Sequence, residues 1–259
     1  MPEKTKVLVT GSSGLIGAML IRSLADRYQF SGLDRVKGAN TPGVPTLVAD
    51  ASKGGVEAIL PAFKGVHAVV HLAADVRQDA PWDSVLPNNL VLTHNVWEAS
   101  RLSGVRRIVF ASSNHAVGMF ENDDPYRRIV KGDYAGLDPA MVKKVDHTVP
   151  VRPDGDYGIS KAFGEAAGRY YFEQFGIEAA CLRIGTVNPQ NDPTKSVRHF
   201  ATWCSHRDLA QLVDKCLSAP RLGFEIFYGV SNNKWRFWDI AHAEQAVGFK
   251  PQDNAESYR

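Results

Sequence analysis

The sequence predicts an α/β protein with a doubly wound parallel sheet and a small C-terminal lobe for the substrate. Three observations predict this class. Six short apolar runs alternate with stretches of helical spacing, at residues 6–10, 30–33, 46–49, 67–72, 107–112 and 179–184. A glycine-rich turn follows the first run, and the 259 residues are enough to bury a substantial core. Such alternation gives a parallel sheet covered on both faces, so a Rossmann-type fold is expected.

The first strand and the following helix are joined by the glycine turn. The apolar run Val7–Thr10 leads into Gly11, Gly14 and Gly17, and residues 18–24 continue with helical spacing. The first glycine permits the tight turn, the second lets the backbone approach a pyrophosphate, and the third lets the helix pack on the strand. Free N–H groups at the helix start then bind the anion. The cofactor contacts predicted here are Gly11, Ser13, Gly14, Leu15, Ile16 and Gly17.

The second apolar run ends at Leu33 and Asp34, roughly twenty residues beyond the turn, where a carboxylate accepts both hydroxyls of an adenosine ribose. The same carboxylate repels the extra phosphate of NADP, so NAD is the predicted cofactor. Arg35 is a counter-signal, because an arginine there can hold that phosphate. A solvated turn residue is the alternative for Asp34.

The ends of the later strands carry polar or small residues. Asp50 follows the third run, Ala73 and Ala74 follow the fourth, and Ser112 and Ser113 follow the fifth. Ligands of doubly wound sheets bind at the carboxyl ends of the strands. These residues are therefore expected to line one cleft.

Tyr157 and Lys161 stand four residues apart in what the pattern predicts to be the first turn of a helix. Residues at this spacing share a helix face. A nearby ammonium stabilises a phenolate and brings its proton affinity toward the physiological range, as a general base acting on an alcohol requires. The YxxxK pattern is common by chance, but here it follows both the glycine turn and the Ser112–Ser113 pair.

Composition and charge exclude several other classes of protein. The formal net charge is +2 without a long charged run, so neither nucleic acid nor a membrane surface is implied. No apolar run approaches the length of a membrane span, and residues 1–6 show no signal-like region. Cys181, Cys204 and Cys216 lack CxxC spacing, which is typical of buried, reduced thiols. The prediction is a cytoplasmic protein without a metal site.

Several motifs together resemble one superfamily. The strings TGSSGLIG, HLAA, FASSNHAVG, VRPDGDYGISKAFGE, LRIGT, RHFATWCSH and FKPQDNAESYR run from residue 7 to the C terminus. They resemble the extended short-chain dehydrogenase/reductase superfamily of NAD-dependent epimerases and dehydratases. Within it they are most similar to the uronate dehydrogenases, which oxidise the anomeric carbon of hexuronic acids. The resemblance implies one domain over residues 1–259, with a dinucleotide-binding core at about 1–178 and core completion plus a small substrate lobe at about 179–259.

The resemblance also implies a mechanism. Tyr157, as phenolate, takes the proton from the anomeric hydroxyl while hydride leaves that carbon for NAD, and the product is an aldonolactone. Lys161 lowers the proton affinity of the phenol and holds the nicotinamide ribose. Ser113 stabilises the reacting oxygen by about 2–4 kcal/mol if it behaves like an oxyanion donor. Beyond the glycine turn, the predicted cofactor contacts are Asp34, Arg35, Asp50, Ala51, Leu72, Ala73, Ala74, Asn89, Tyr157, Lys161 and Ile184.

The predicted substrate contacts follow from the same resemblance. They are Val76, Ser113, Asn114, His115, Tyr157, Gly185, Thr186 and Arg198. Arg198 matches the arginine that grips the hexuronate carboxylate, where a planar guanidinium suits bidentate contact. Without that match it would be an ordinary surface arginine. A turn histidine bonded to the backbone is the alternative for His115.

The substrate assignment leaves an alternative open. After HLAA the family often has a small hydroxyl residue, whereas this chain has Asp75-Val76-Arg77. The charged segment 119–152 is longer than in typical uronate dehydrogenases and is either a lid, a subunit contact or a solvated insertion. A phosphate or sulfonate on the sixth carbon of an aldohexose is therefore a second candidate for recognition. The basic residues that can collect around it are Arg77, Lys195, Arg198, His206 and Arg207.

Other classes of function remain as alternatives. An epimerase or dehydratase would use the same tyrosine and lysine but return the hydride and retain its NAD. A non-catalytic NAD-binding regulator is disfavoured by the intact Ser113, Tyr157 and Lys161. Fewer than a hundred residues follow Lys161, which favours a free monosaccharide over a sugar nucleotide.

A homodimer or higher homo-oligomer is expected, since relatives commonly pair through the helix after Asn89 and the helix that carries Tyr157. Aromatic residues on the predicted outer faces suit such a contact, although the protein's own core is the simpler account of each. These residues are Trp97, Tyr170, Tyr171 and Phe172.

Overall fold

The computed structural model describes residues 4–38 and 41–259. The predicted lack of a signal region concerns in part residues 1–3, which lie outside the described residues. Within the described residues, seven parallel strands form one sheet in the order β3-β2-β1-β4-β5-β6-β7. The strands are β1 (Thr5–Thr10), β2 (Tyr28–Asp34), β3 (Thr46–Val48), β4 (Ala68–His71), β5 (Arg107–Ser113), β6 (Glu178–Ile184) and β7 (Phe224–Gly229). The order reverses between β1 and β4, which creates a crevice at their carboxyl ends.

Helices cover both faces of the sheet. They are α1 (Leu15–Leu24), α2 (Leu60–Phe63), α3 (Trp82–Val85), α4 (Leu92–Leu102), α5 (Tyr126–Val130), α6 (Asp156–Phe175), α7 (His199–Thr202), α8 (His206–Ser218) and α9 (Ala241–Val247). A π-helical turn, Leu86–Val91, joins α3 to α4, and 3₁₀ helices span Asn114–Asn122, Pro193–Lys195 and Ala255–Tyr258. No described helix combines the length and apolarity that a membrane crossing would need.

The core lies on both sides of the sheet because successive side chains of a strand point to opposite faces. Along β1, Val7 and Val9 join one apolar cluster with α1 and α8, whereas Leu8 joins the other with α2, α4 and α6. The three cysteines are buried and unpaired, as predicted. The doubly wound Rossmann-type fold predicted from the sequence is confirmed.

The sequence analysis placed six strands close to their observed positions and missed β7. This strand is the edge of the sheet and pairs with β6, from Ala179 opposite Phe224 to Ile184 opposite Gly229. Its first three residues are only partly buried, so it lacks the fully apolar run of a central strand. The division into a core at 1–178 and a lobe at 179–259 stays a prediction, and β6 and β7 complete the main sheet.

The segment 119–152 is anchored to the core by four buried side chains, and its other residues are partly or fully exposed. Tyr126, Ile129, Val142 and Val145 are buried in the cluster that contains α8. The backbone N–H of Val145 donates to the carbonyl of Phe237 at 2.7 Å. The segment is therefore packed into the C-terminal half, which contradicts its interpretation as a solvated insertion.

The aromatic residues proposed for a subunit contact divide into two groups. Trp97 and Tyr171 are buried and stack on each other with ring centres 5.4 Å apart, so they belong to the protein's own core. Phe172 is partly buried, and Tyr170 is 54% exposed. The exposed apolar residues near it on α4 and α6 include Leu102, Phe163 and Phe175. The oligomeric state stays a prediction.

Candidate functional site

A cleft of about 740 Å³ opens at the carboxyl ends of the strands, where the strand order reverses. It contains nearly all of the predicted cofactor and substrate residues. Those that line it are Gly11, Ser13, Gly14, Leu15, Ile16, Gly17, Asp34, Arg35, Ala51, Leu72, Ala73, Ala74, Val76, Ser113, Asn114, His115, Tyr157, Lys161, Ile184, Gly185, Thr186 and Arg198. One cavity thus brings together residues that are almost 190 positions apart in the chain.

The glycine turn has the geometry of an anion site. Gly11 has φ +70°, and a Cβ there would lie 2.9 Å from the backbone nitrogen of Ala73. A Cβ on Gly17 would clash with the carbonyl of Gly11, so the close packing of α1 on the turn requires glycine. Gly14 precedes α1 and has no side chain to cap it, which leaves the first N–H groups of the helix for a ligand. These features fit a pyrophosphate.

Asp34 is held at the end of β2 with its charge toward the cleft. Its carboxylate accepts the backbone N–H of Ser13 at 2.8 Å and that of Arg35 at 2.7 Å. The Arg35 side chain donates instead to Asn88 at 3.3 Å. A carboxylate fixed beside the glycine turn fits the ribose hydroxyls of NAD and disfavours the 2′-phosphate of NADP.

A buried network of hydrogen bonds lies next to the glycine turn and supports it. The Thr10 hydroxyl accepts N–H groups of Leu72 and Ala73, both at 3.2 Å, so it donates its own proton to Nδ1 of His71 at 2.8 Å. Nε2 of His71 then donates to Thr93 at 3.2 Å. Burial lowers the pKa of His71 to about 3, so the ring is neutral. The sequence showed the HLAA string but not this role of its histidine.

Ser113, Tyr157 and Lys161 meet at the centre of the cleft. Ser113 ends β5, and Tyr157 and Lys161 lie in the first turns of α6, as predicted. The Lys161 ammonium donates to the carbonyl of Ala111 at 2.8 Å and lies 5.3 Å from the centre of the Tyr157 ring. This arrangement places a hydroxyl, a phenol and an ammonium around one region of the cleft.

Burial has the largest effect on the pKa values of Tyr157 and Lys161. It raises the pKa of Tyr157 to about 12, while the hydrogen bond with Ser113 opposes the shift. It also lowers the pKa of Lys161 to about 8. The net shift of the Tyr157 pKa is therefore opposite to the predicted one, because removing the phenolate from water raises the pKa more than the hydrogen bond with Ser113 lowers it.

A buried ion pair fixes α6 against the sheet. Glu165 of α6 accepts two hydrogen bonds from Arg183 of β6, both at 2.9 Å, and one from the hydroxyl of Ser112 at 2.6 Å. Both charged side chains are almost completely buried. The strand that ends in Ser113 and the helix that carries Tyr157 are thereby held in register.

The sugar side of the cleft contains charged residues that already have partners. Nδ1 of His115 contacts the Asp154 carboxylate at 2.7 Å, and the His115 ring lies 5.9 Å from that of Tyr157. Nε and Nη2 of Arg198 donate to Glu121 at 2.6 and 2.7 Å. Glu121, which the sequence analysis missed, stands in a charged segment with no motif of its own.

The basic cluster expected around a phosphate or sulfonate does not assemble. The Arg77 guanidinium is paired with Asp75, and its hydrogen bonds hold the pKa of that carboxyl well below its usual range. Arg207 is paired with Asp253. Nε2 of His206 contacts the carbonyl of Asn188 at 2.9 Å. Of the five basic residues proposed, all within the described ranges, only Arg198 lines the cleft.

Two predicted cofactor residues lie outside the cleft lining. The Asp50 carboxylate accepts hydrogen bonds from the hydroxyl and the backbone N–H of Ser52. These bonds stabilise the turn in which Asp50 lies. The buried Asn89 amide bonds the backbone of Asp75 and the hydroxyl of Ser160. The structure thus gives both residues local structural roles. Ser112 lines the cleft as expected from its place at the end of β5, and the lining residues that were not predicted are Thr10, Leu33, Val36, Ala49, Gln78, Asn88, Leu92, Ala111, Val187 and His199.

The fold and the cleft, together with relatives that are NAD-dependent sugar dehydrogenases, identify an NAD-dependent oxidoreductase that acts on a sugar CH–OH group. The chain belongs to the NAD dependent epimerase/dehydratase family, whose model matches residues 7–217. Membership agrees with the resemblance predicted from the motifs.

Three relatives illustrate the range of the family. The NAD-dependent glucose-6-phosphate dehydrogenase of Haloferax volcanii is 37% identical over 97% of this chain and 95% of its own. The L-arabinose 1-dehydrogenase (NAD(P)(+)) of the same organism is 32% identical over 96% of this chain and 97% of its own. A crystal structure of mutant uronate dehydrogenase from Agrobacterium tumefaciens, complexed with NAD, is 32% identical, with a TM-score of 0.82 over 99% of this chain and 88% of that one.

Proposed function

We propose that this protein oxidises the anomeric carbon of a free anionic hexose, with a hexuronate as the first candidate, and releases the aldonolactone. The observation that carries the proposal is the meeting of Ser113, Tyr157 and Lys161 in the cleft whose sugar side contains Arg198. The three groups suit removal of a proton from a hydroxyl during hydride transfer. The arginine suits a carboxylate at the other end of the sugar.

Each residue has a defined task in this proposal. Bound NAD supplies the hydride acceptor at the anomeric carbon. Tyr157 accepts the hydroxyl proton, and Lys161, already bonded to the Ala111 carbonyl, favours the phenolate by its charge. Ser113 donates to the reacting oxygen and stabilises its developing charge. The buried Glu165–Arg183 pair keeps these groups at fixed separation.

The first candidate is supported by likeness to the uronate dehydrogenase structure and by the position of Arg198 in the cleft wall. A 6-phosphorylated aldohexose is the second candidate, favoured by the 37% identical glucose-6-phosphate dehydrogenase. A dianionic phosphate is usually bound by several basic groups or by free backbone N–H groups. Of the basic residues proposed for a phosphate, Arg77 and Arg207 do not line the cleft, and the single guanidinium of Arg198 suits a carboxylate better than a dianionic phosphate.

We also propose that two copies associate through the exposed apolar residues of α4 and α6. Leu102, Phe163, Tyr170 and Phe175 support this proposal, because contiguous exposed apolar surface marks interaction sites. Sedimentation velocity of the purified protein tests it. A species of monomer mass at micromolar concentration would refute the association.

The reaction is tested by absorbance of reduced nicotinamide. Purified protein and NAD are mixed separately with glucuronate, galacturonate, glucose 6-phosphate, a sulfonated glucose and L-arabinose. Stoichiometric NADH with a uronate, and little with the other sugars, is the expected result. Signal with the phosphate or sulfonate alone replaces the hexuronate by the second candidate. NAD that stays bound without net reduction, together with a change in sugar configuration, would identify an epimerase.

A further inference from the structure

The Arg198 guanidinium is occupied on one edge by an internal carboxylate. Nε and Nη2 donate to the two oxygens of Glu121, and Nη1 is directed toward the Thr186 hydroxyl at 3.3 Å. The Arg198 side chain is 26% exposed and that of Glu121 is 14% exposed. This is a bidentate pair with little solvent around the carboxylate, the geometry in which such pairs are strong.

Glu121 is held in place by the fold. It lies near the end of the 3₁₀ helix Asn114–Asn122, which begins directly after β5. On one side of it, the N–H of Met119 donates to the carbonyl of Arg152 at 2.9 Å. On the other side, Asp123 accepts the Arg152 guanidinium at 2.6 Å. Because the chain is anchored on both sides, the backbone at Glu121 does not depend on Arg198 for its position.

Glu121 also contacts a second residue of the cleft. The side-chain amide of Asn114 donates to Oε1 of Glu121 at 3.2 Å. One carboxylate therefore orients both Asn114 and Arg198, which line the sugar side. Neither of these contacts requires a ligand.

The pair changes the charge that a sugar meets. Arg198 contributes +1 and Glu121 contributes −1, so the pair is formally neutral. Among the described residues of the cleft lining, the other arginine and lysine side chains are those of Arg35 and Lys161. Arg35 lies next to Asp34, the carboxylate suited to the adenosine ribose, and Lys161 lies near Tyr157. Burial and the charge of Arg198 lower the pKa of the adjacent His199, so it adds no cation at neutral pH.

We propose that Glu121 is a specificity-determining residue that limits the preference of the cleft for anionic over neutral sugars. It does so by neutralising Arg198 and by competing with a sugar carboxylate for the guanidinium N–H groups. The inference rests on the proposed oxidation of a sugar and deepens it.

The test compares sugars that differ only at the sixth carbon, glucuronate with glucose and galacturonate with galactose. For each pair the measured quantity is the ratio of kcat/KM for the acid to that for the neutral sugar. Both values come from one protein sample, so the ratio does not depend on the fraction of folded enzyme. Glu121→Gln keeps the shape of the side chain and removes its charge.

We expect Glu121→Gln to raise this ratio about tenfold, because the positive charge of Arg198 is no longer compensated. Glu121→Asp retains the charge and is expected to stay much closer to the wild-type ratio. The matched control is Glu173→Gln, which removes a carboxylate from an exposed ion pair with Arg169 on α6 and is expected to leave the ratio unchanged.

A ratio within twofold of wild type in Glu121→Gln, or equal losses for both sugars, would overturn the specificity role and leave only structural support of Arg198. The same change in Glu121→Asp as in Glu121→Gln would also overturn it. Failure of the proposed function gives a different result, because wild-type protein would then reduce NAD with none of the four sugars. In that case the role of Glu121 in specificity would also be refuted.

Discussion

The cofactor half and the sugar half of the cleft are built differently. In the cofactor half, the groups suited to NAD are backbone N–H groups at the start of α1 and one carboxylate, Asp34, fixed by adjacent backbone. In the sugar half, the contacts come from side chains whose partners are distant in sequence. Arg198 is held by Glu121, 77 positions away, and His115 by Asp154, 39 positions away.

The cofactor half depends on backbone conformation, whereas the sugar half depends on side chains that can be substituted. A backbone anion site depends on turn conformation and accepts any ligand with the same pyrophosphate. A wall of paired side chains can change its charge by one substitution without a change of fold. We therefore expect substitutions in the two halves to alter different measured constants.

The largest expected effect lies where the two halves meet. Tyr157→Phe removes the only ionisable oxygen of that side chain and should lower kcat by about a thousandfold, within the range for loss of a general base. NAD affinity should change by less than about twofold, because the pyrophosphate and ribose contacts lie elsewhere. Reduced-nicotinamide absorbance and calorimetric NAD binding measure the two quantities. A loss of NAD affinity as large as the loss of kcat would show that the two halves are not separable.

The pH profile is the next largest effect. Burial lowers the pKa of Lys161 to about 8 and raises that of Tyr157 to about 12, so the pair loses its first proton near pH 8. The singly deprotonated pair exists either as Lys161 amine with Tyr157 phenol or as Lys161 ammonium with Tyr157 phenolate, and the second form accepts the proton of the sugar. Thus kcat/KM should rise about tenfold per pH unit up to about pH 8 and then level off. A flat profile between pH 6 and 8 would contradict this assignment of the base.

Arg198→Ala tests the sugar half alone. A hydrogen-bonded charge is worth about 1.5–3 kcal/mol, so KM for an acidic sugar should rise about 10- to 100-fold. KM for the neutral sugar of the same configuration should rise much less, and KM for NAD should stay constant. Initial-rate kinetics with glucuronate and glucose give these values. Equal increases for both sugars would remove Arg198 from the anion contact.

Asp34→Ala tests the cofactor half and has the smallest expected effect. The preference for NAD over NADP should fall about tenfold, because the carboxylate that repels the 2′-phosphate is gone. The sugar KM should not change. The ratio of kcat/KM for the two cofactors is the measurement, and an unchanged ratio would place the adenosine ribose away from Asp34.

The fold was predictable because its signals are local. Apolar runs predicted six of the strands, and the glycine turn predicted the β1–α1 connection, since φ +70° at Gly11 requires a glycine there. The sequence analysis missed the edge strand β7, because partial burial weakens its apolar pattern. Asp50 was assigned from its position after a strand and Asn89 from the family resemblance, and neither signal determines the direction of a side chain.

The sugar half was only partly predictable, for a physical reason. The family resemblance placed Arg198 in the cleft, but its partner Glu121 belongs to a charged segment without periodicity or a motif. Pairings such as Arg77 with Asp75 determine which basic residues are available to an anion. They depend on tertiary structure, which spacing alone does not reveal.

The burial of segment 119–152 has a consequence for how this enzyme can diversify. Tyr126, Ile129, Val142 and Val145 tie the stretch that carries Glu121 into the main apolar cluster. Grafting a shorter version from a homologue would leave a void in the interior and destabilise the whole domain. A change of sugar preference by a point substitution such as Glu121→Gln therefore disturbs the interior less than an exchange of this segment.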